Sequence, residues 1–226
     1  MSLYPIFLKL ESHKVLIVGG GLIAEQKIEA VLRSATDVTV ISPKISPLIQ
    51  SWREQGRIKH LAQEFQPGMT QGYFLVISCT DSEEVNRAVY KEARDFGILA
   101  NAVDDPGYCD FYAPAVVSRG DFQIAISTGG NSPALAQSIR KNLEQEFGPE
   151  YESWAAWLGR MRDAIRSALP RTESRKELVR TLAMFKPAKF QPAKFSNQPS
   201  PGGNYGLLKK SGVGEQTTAG NQRASA

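Results

Sequence analysis

Two glycine-containing turns hold most of the residues in this chain that could do chemistry. The later one, Ile126-Ser127-Thr128-Gly129-Gly130-Asn131-Ser132-Pro133, leaves an apolar strand and enters a helix at Ser-Pro. Such a turn aims backbone N–H groups and hydroxyls at one point beside the positive end of a helix dipole, which suits an anion. Thr128, Gly129, Gly130, Asn131 and Ser132 are therefore candidate binding residues. The earlier turn, Gly19-Gly20-Gly21-Leu22-Ile23-Ala24, fits G-x-G-x-x-G/A between a strand and a helix. Gly19 is expected to permit the tight turn, Gly21 the close approach of a pyrophosphate, and Ala24 close helix–sheet packing. A glycine turn without ligand is the plainer reading of the second motif alone. Together the two turns point to a dinucleotide and a separate, acidic substrate.

A dinucleotide site usually carries an Asp or Glu for the ribose at the end of the second strand. Here that position reads Ser42-Pro43-Lys44. Ser42 and backbone groups can bind a ribose, and Lys44 can tolerate a 2′-phosphate, so residue chemistry leaves both NAD and NADP open. The reacting end is expected beyond the last strand, Ile98 to Val103, where Asp104 emerges. A carboxylate there can take a proton while a hydride leaves toward a nicotinamide. Taken alone, Asp-Asp-Pro reads equally well as a turn or cap, and Asp105, before Pro106, fits that role better. Cys109 has no His partner and reads as inert, and Cys79 as strand packing. His13 and His60 are the only histidines and no Cys-x-x-Cys is present, so no metal site is expected.

These residues need a scaffold, and the apolar pattern supplies one. Val15–Val18, Val38–Ile41, Tyr73–Ser78 and Ile98–Val103 are short continuous apolar runs that read as buried parallel strands, with a weaker one at Ile58–Leu61. Between them, residues 22–34, 45–55 and 83–95 read as helices. Ile23, Ala24, Lys27, Ala30 and Val31 are taken as the sheet-facing stripe of the first. The alternation predicts a Rossmann-like, doubly wound α/β domain over residues 1–113. After Pro114 a hairpin, Ala115–Val117 with Phe122–Ile126, and a helix from Pro133 to about Glu146 form a small α+β segment, 114–147. Trp154, Trp157, Leu158, Met161 and Ile165, then Leu178, Leu182 and Phe185, fall at helical spacing and mark a helical domain, 148–185. Residues 186–226, with the tandem Pro-Ala-Lys-Phe, read as a flexible tail.

Composition excludes several classes. The apolar content of 42% is that of an ordinary globular protein. No apolar run reaches the length of a membrane span, and no signal peptide is visible at the N-terminus, so a cytoplasmic protein without membrane contact is expected. The net charge of +4 belongs to the tail: six basic residues and Glu215 follow Phe185, leaving −1 on the remainder. No nucleic-acid partner is expected of such a body.

Ile17-Val18-Gly19-Gly20-Gly21 with Ala24 and Lys27, Asn101-Ala102-Val103-Asp104, and Ser127 to Ala134 resemble the precorrin-2 dehydrogenase/sirohydrochlorin ferrochelatase family, the N-terminal modules of siroheme synthases. The opening Leu3 to Leu10 is similar too, and the likeness runs in order over residues 3–185. The resemblance implies a Rossmann domain, a dimerisation segment (114–147) and a helical domain, arranged as a homodimer with the active site between them. It implies NAD as cofactor, with contacts at Leu22, Ile23, Pro43 and Lys44, and Asp104 as the catalytic residue. The activity implied is oxidation of precorrin-2 to sirohydrochlorin, extended in many members to insertion of ferrous iron, giving siroheme. The chain ends before a fused methyltransferase domain would fit, so that third activity is not expected. Thr128 stands where some relatives have Ser, which keeps a hydroxyl.

A precorrin is a polycarboxylate, so it needs donors and positive charge. The 128–132 turn offers the donors, and Arg119, Arg140, Lys141, Arg160 and Arg162 are candidate partners, although isolated surface cations are ordinarily just solvated. Two other functions use part of the same pattern: a dehydrogenase that leaves chelation to a separate enzyme, and a non-catalytic NAD(H)-binding redox sensor.

Overall fold

The computed structural model describes residues 3–170 and 172–184. The expected tail and Phe185 lie outside the described residues. Five strands, β1 (Lys14–Val18), β2 (Asp37–Ile41), β3 (Lys59–Leu61), β4 (Leu75–Ser78) and β5 (Leu99–Ala102), pair in parallel in the order β3-β2-β1-β4-β5. The chain winds outward from β1 through β2 to β3, then crosses back to β4 and β5. The strand order therefore reverses beside β1, and ligands of such sheets bind at the carboxyl ends of the strands flanking that point.

The two-residue alternation of a strand feeds two separate cores. Val15 and Ile17 face α1 (Leu22–Val31) and α2 (Pro47–Glu54), packing with Ala24, Ile28, Ile49 and Trp52. Leu16 and Val18 point to the other face, where they meet Val89 and Ala93 of α3 (Glu83–Asp95). Side chains fully enclosed on both faces explain why the strands read as unbroken apolar runs. Each such residue contributes about 1.5–3 kcal/mol of burial.

Helix ends follow local rules. Ser46, Ser82 and Ser132 each cap a helix by accepting an N–H three residues on. Pro47 and Pro133 occupy first helical positions, where a missing N–H costs nothing. The expected bounds of α3 match those observed, with Ser82 as cap and Gly97 beyond the end at φ +70°. The expected stripe of α1 is corrected. Ala24, Ile28 and Val31 are its buried residues, whereas Ile23 and Ala30 are exposed. A helix beginning at Leu22 puts the 24/28/31 series on the sheet, and Ile23 turns away.

After the sheet, β6 (Ala115–Arg119) and β7 (Phe122–Ile126) form an antiparallel hairpin. Gly120 closes it at φ +58°, the left-handed value a two-residue hairpin can need at its first turn position. The helices α4 (Pro133–Glu146) and α5 (Glu150–Ala168) pack on this hairpin, and α6 (Glu173–Met184) packs on α5. Phe122, Phe147 and Tyr151 meet with ring centroids 5.1–5.4 Å apart and join hairpin, α4 and α5. Trp154 and Trp157 stack on α5 at 5.0 Å. Among the described residues no helix is long and apolar enough to cross a membrane.

Candidate functional site

The glycine turn leaves β1 at the centre of the sheet, and each of its glycines answers to a different constraint. Gly19 has φ +129°, and a Cβ there would lie 2.6 Å from the Cys79 carbonyl oxygen. A Cβ on Gly20 would run into the Lys44 carbonyl oxygen and the Ser42 hydroxyl. Gly21 is different: a Cβ there would meet nothing within 4 Å. The close approach at Gly21 is thus not to the protein's own chain. Gly21 is the N-cap of α1 and offers no capping side chain, unlike the serines that open α2, α3 and α4. The first-turn N–H groups of α1 therefore point outward without a partner, with the positive end of the helix behind them.

The loop after β2 is bound to this turn. The Ser46 N–H donates to the Gly20 carbonyl at 2.9 Å, and the Ser42 hydroxyl donates to the Lys44 carbonyl at 2.6 Å. His60 Nε2 lies 2.9 Å from the Ser42 carbonyl oxygen. The Ser42 hydroxyl keeps its lone pairs but not its proton for a ligand. Pro43 and Lys44 are exposed beside it. Leu22 is 74% exposed and Ile23 44%, so the entrance to α1 presents apolar surface that the chain itself leaves uncovered.

At the end of β5, register sets the geometry. Val18 pairs with Ser78 and Ser78 with Ala102, so Asp104 stands two strand spacings from the glycine turn, about 10 Å. Asp104 is exposed and has φ +65°, the one described non-glycine residue with a positive φ. Left-handed backbone is tolerated by Asp and Asn better than by most residues, yet it still costs energy and collects at functional sites. Its neighbours hold it there. The Val103 N–H donates to the Ser78 carbonyl and the Asp105 N–H to the Ala102 carbonyl. The Asp105 carboxylate accepts from Arg87 Nε at 2.8 Å and stands before a 3₁₀ turn, Pro106–Tyr108, the role its place before proline suggested.

Several residues that shape this loop escaped the sequence reading. Asp110 accepts from the Ala100 N–H at 3.0 Å and from Arg94 at 2.7 Å, which pulls the returning loop against β5. Asn101 Nδ2 donates to the Phe111 carbonyl at 2.7 Å. Nothing short of the tertiary fold joins these partners. The two thiols are quiet. Burial pushes Cys79 up to about 12 despite the nearby Lys27 ammonium, and burial likewise raises Cys109. Among the described residues no group of three or more His, Cys, Asp or Glu side chains is gathered as metal ligands would be.

The Ser127–Ser132 turn uses part of its own donor set. The Gly129 N–H goes to the Ser127 hydroxyl, the Asn131 N–H to the Thr128 carbonyl, and the Ser132 N–H to the Thr128 hydroxyl at 3.0 Å. The Gly130 and Ala134 N–H groups, the hydroxyl protons of Thr128 and Ser132, and the Asn131 amide are left for a ligand. Gly129 and Gly130 take φ +63° and +86°, the left-handed values that bend the chain this way. Among the described residues no hydrogen bond or ion pair ties this turn to the glycine turn or to Asp104.

Arg119 lies at the other end of α4. Its guanidinium donates to the carbonyls of Phe147 at 2.9 Å, Glu144 at 3.1 Å and Ser118 at 2.9 Å, capping the helix C-terminus. The fourteen residues of α4 put about 20 Å between it and the turn. Arg140 pairs with Glu144 and Gln137 on its own helix, while Lys141, Arg160 and Arg162 are exposed.

A parallel sheet with a glycine turn at its switch point, an uncapped helix start and an exposed carboxylate just beyond the edge strand β5 define a dinucleotide-binding α/β protein. Residues 6–115 match a family of NAD(P)-binding domains, and residues 119–146 match the central segment of sirohaem biosynthesis proteins. The siroheme synthase of Methylobacillus flagellatus is 38% identical over 176 residues, 78% of this chain and 38% of that protein. That of Nitrosomonas europaea is 38% identical over 177 residues, 78% of this chain and 37% of that protein. Among solved structures, SirC, a precorrin-2 dehydrogenase, superposes with a TM-score of 0.69 at 29% identity, covering 80% of this chain and 89% of that one. The chain thus carries an NAD(P)-binding domain followed by a sirohaem-biosynthesis central segment, and over about four fifths of its length it is similar to siroheme synthases and to a precorrin-2 dehydrogenase. It spans less than two fifths of the length of the siroheme synthases it matches.

Proposed function

We propose that this protein oxidises precorrin-2 to sirohydrochlorin with NAD in the cytoplasm, and that Asp104 is its general base. The observation that carries this reading is the placement of Asp104: an exposed carboxylate in left-handed backbone, about 10 Å along the sheet edge from an uncapped helix start. The residues present fit NAD, because Gly21 leaves open space in front of the free N–H groups at the start of α1, where a Cβ would stand in the way of a pyrophosphate. Gly19 and Gly21, with Leu22 and Ile23, hold the pyrophosphate and its flanks, and Ser42, Pro43 and Lys44 line the adenosine end.

With NAD bound, a hydride acceptor would stand beside the macrocycle, and Asp104 would take the proton lost alongside that hydride, the two hydrogens by which precorrin-2 exceeds sirohydrochlorin. Thr128, Asn131 and Ser132 with the Gly130 N–H take substrate carboxylates; Gly129 sets the bend. Arg119, committed to the end of α4, holds that helix in place instead. Residues 1–113 act as the cofactor domain, 114–147 as a dimerisation segment and 148–185 as a helical domain. Two copies pair, which brings the turn of one to the sheet edge of the other. The two-stranded β6–β7 sheet supports this, since a lone hairpin is marginal by itself and both its outer edges are unpaired among the described residues.

The same site extends to ferrous iron as a second substrate. The macrocycle nitrogens bind the metal, and Asp104 accepts the two pyrrole protons released one at a time, passing each to solvent. The direct test is Asp104→Asn, which keeps a residue that tolerates left-handed backbone. NAD binding is expected to be retained and turnover to fall by about 10²–10⁴. Unchanged turnover removes Asp104 from the mechanism.

A further inference from the structure

Charge is segregated along this chain in a way the dehydrogenase site does not use. Residues 1–159 carry 14 basic and 19 acidic side chains, whereas residues 160–184 carry seven basic and three acidic. Six of the seven basic residues lie on the second half of α5 and on α6, which pack together. A cleft runs between the two helices. One end is a cavity of about 280 Å³ with Leu158, Gly159 and Leu182 in its walls. The other, about 410 Å³, is rimmed by Arg166, Lys176 and Arg180. Arg162 and Val179 line both, so the apolar and cationic ends are continuous.

Most of this charge is unrelieved. Lys176 pairs with Glu173 at 2.6 Å, but Arg162, Arg166 and Arg180 make no ion pair with any described residue. Arg162 and Arg166 are one helical turn apart, as are Lys176 and Arg180, and like charges at that spacing destabilise a helix. The arrangement makes sense around an anion with several negative groups and an apolar body. A linear acidic peptide would answer the cations and leave the Leu158–Leu182 end empty. Duplex nucleic acid is too broad to enter a cleft of this size.

We propose that the α5–α6 cleft is a second binding site for a polycarboxylate tetrapyrrole. The flat apolar face of the macrocycle lies over Leu158, Gly159 and Leu182, and its carboxylates reach Arg162, Arg166 and Arg180. The identity of the ligand rests on the function proposed above. A site of this kind holds a reactive tetrapyrrole on the protein before or after its turn at the sheet edge.

The test uses the full chain and a stable porphyrin octacarboxylate, with binding followed by quenching of Trp154 and Trp157, which stack on α5 beside the cleft. Two variants probe the two ends. Arg166→Glu with Arg180→Glu reverses the charge at exposed positions. Gly159→Phe fills the apolar end; a Cβ at Gly159 meets nothing within 4 Å, and the change favours helix, so the fold is kept. Wild type is expected to bind two porphyrins per chain and each variant one, with NAD affinity unaltered and the melting temperature not lowered. Wild-type stoichiometry and affinity in either variant overturn the proposal. So does a polyglutamate peptide that binds as tightly as the porphyrin and ignores Gly159→Phe. Failure of the dehydrogenase reading is distinct: wild type would bind one porphyrin per chain, lost in both variants, while precorrin-2 gave no NADH.

Discussion

Gly20→Ala and Gly21→Ala, adjacent changes in one turn, are expected to damage different properties. A Cβ on Gly20 meets the Lys44 carbonyl oxygen at an impossible distance and the Ser42 hydroxyl at 2.7 Å. One of these obstacles is backbone and the other is a hydroxyl fixed by its own hydrogen bond, so neither rotates away. Relief requires parting the glycine turn from the β2–α2 loop, which breaks the 2.9 Å bond from the Ser46 N–H to the Gly20 carbonyl. Overpacking costs about 1–3 kcal/mol and the lost hydrogen bond about 1 kcal/mol more. At about 2–4 °C per kcal/mol for a domain of this size, the melting temperature should fall by about 5–15 °C. Gly21→Ala meets no obstacle and has an ordinary φ of −92°, so its stability cost is the fraction of about 1 kcal/mol that alanine loses at an N-cap. Its methyl group instead occupies the space against which a pyrophosphate must pack, and NAD affinity should drop by about tenfold or more. Differential scanning fluorimetry and NAD titration of both variants separate the effects. A Gly20→Ala protein that melts like wild type, or a Gly21→Ala protein that binds NAD normally, refutes the reasoning.

Two further changes test the parts that position the site. Glu92 accepts from the Gly68 N–H at 2.7 Å and from the Thr70 N–H and hydroxyl at 2.9 and 2.6 Å, pinning the loop before β4. Burial pushes its pKa up, but the bonds from Thr70 and Gly68 outweigh that and hold the carboxyl below its ordinary value. The stability this confers is complete above the unfolded carboxylate's pKa and is lost as pH falls through the lower folded value. Glu92→Gln should therefore lower the melting temperature at pH 7 and flatten its decline in acid; an unchanged acid slope contradicts the assignment. Arg119→Ala leaves three carbonyls without their donor and should cost about 1–3 kcal/mol in stability with KM for precorrin-2 unmoved. A raised KM at unchanged stability would return Arg119 to the substrate site.

Where local rules decide, the sequence was a sufficient guide. The strands are legible because both faces of the sheet are covered, and α3 and α4 because Ser82, Ser132 and Pro133 mark their starts. The stripe of α1 was misread because three candidate phases share Ala24 and Val31, and only the register of Leu22 against the sheet chooses Ile28 over Ile23. Asp104 stands out by its place after β5, but its left-handed backbone is imposed by Ser78, Ala102 and the Arg87–Asp105 pair, which no spacing reveals. The Ser127–Ser132 turn stands out by its composition, yet composition does not say which donors the turn keeps for itself. Arg119 shows the same limit, since a cation at a hairpin turn looks alike whether it meets a ligand or the end of a helix 25 residues on.

The most direct measurement is an anaerobic assay of the purified protein with precorrin-2, offering NAD and NADP separately and then ferrous iron. The account predicts NADH formation with the spectrum of sirohydrochlorin, followed by conversion to siroheme when iron is added. NADH formation without the second change would confine the protein to the dehydrogenase step. Reduction of neither cofactor in the presence of precorrin-2 would contradict the account at its centre.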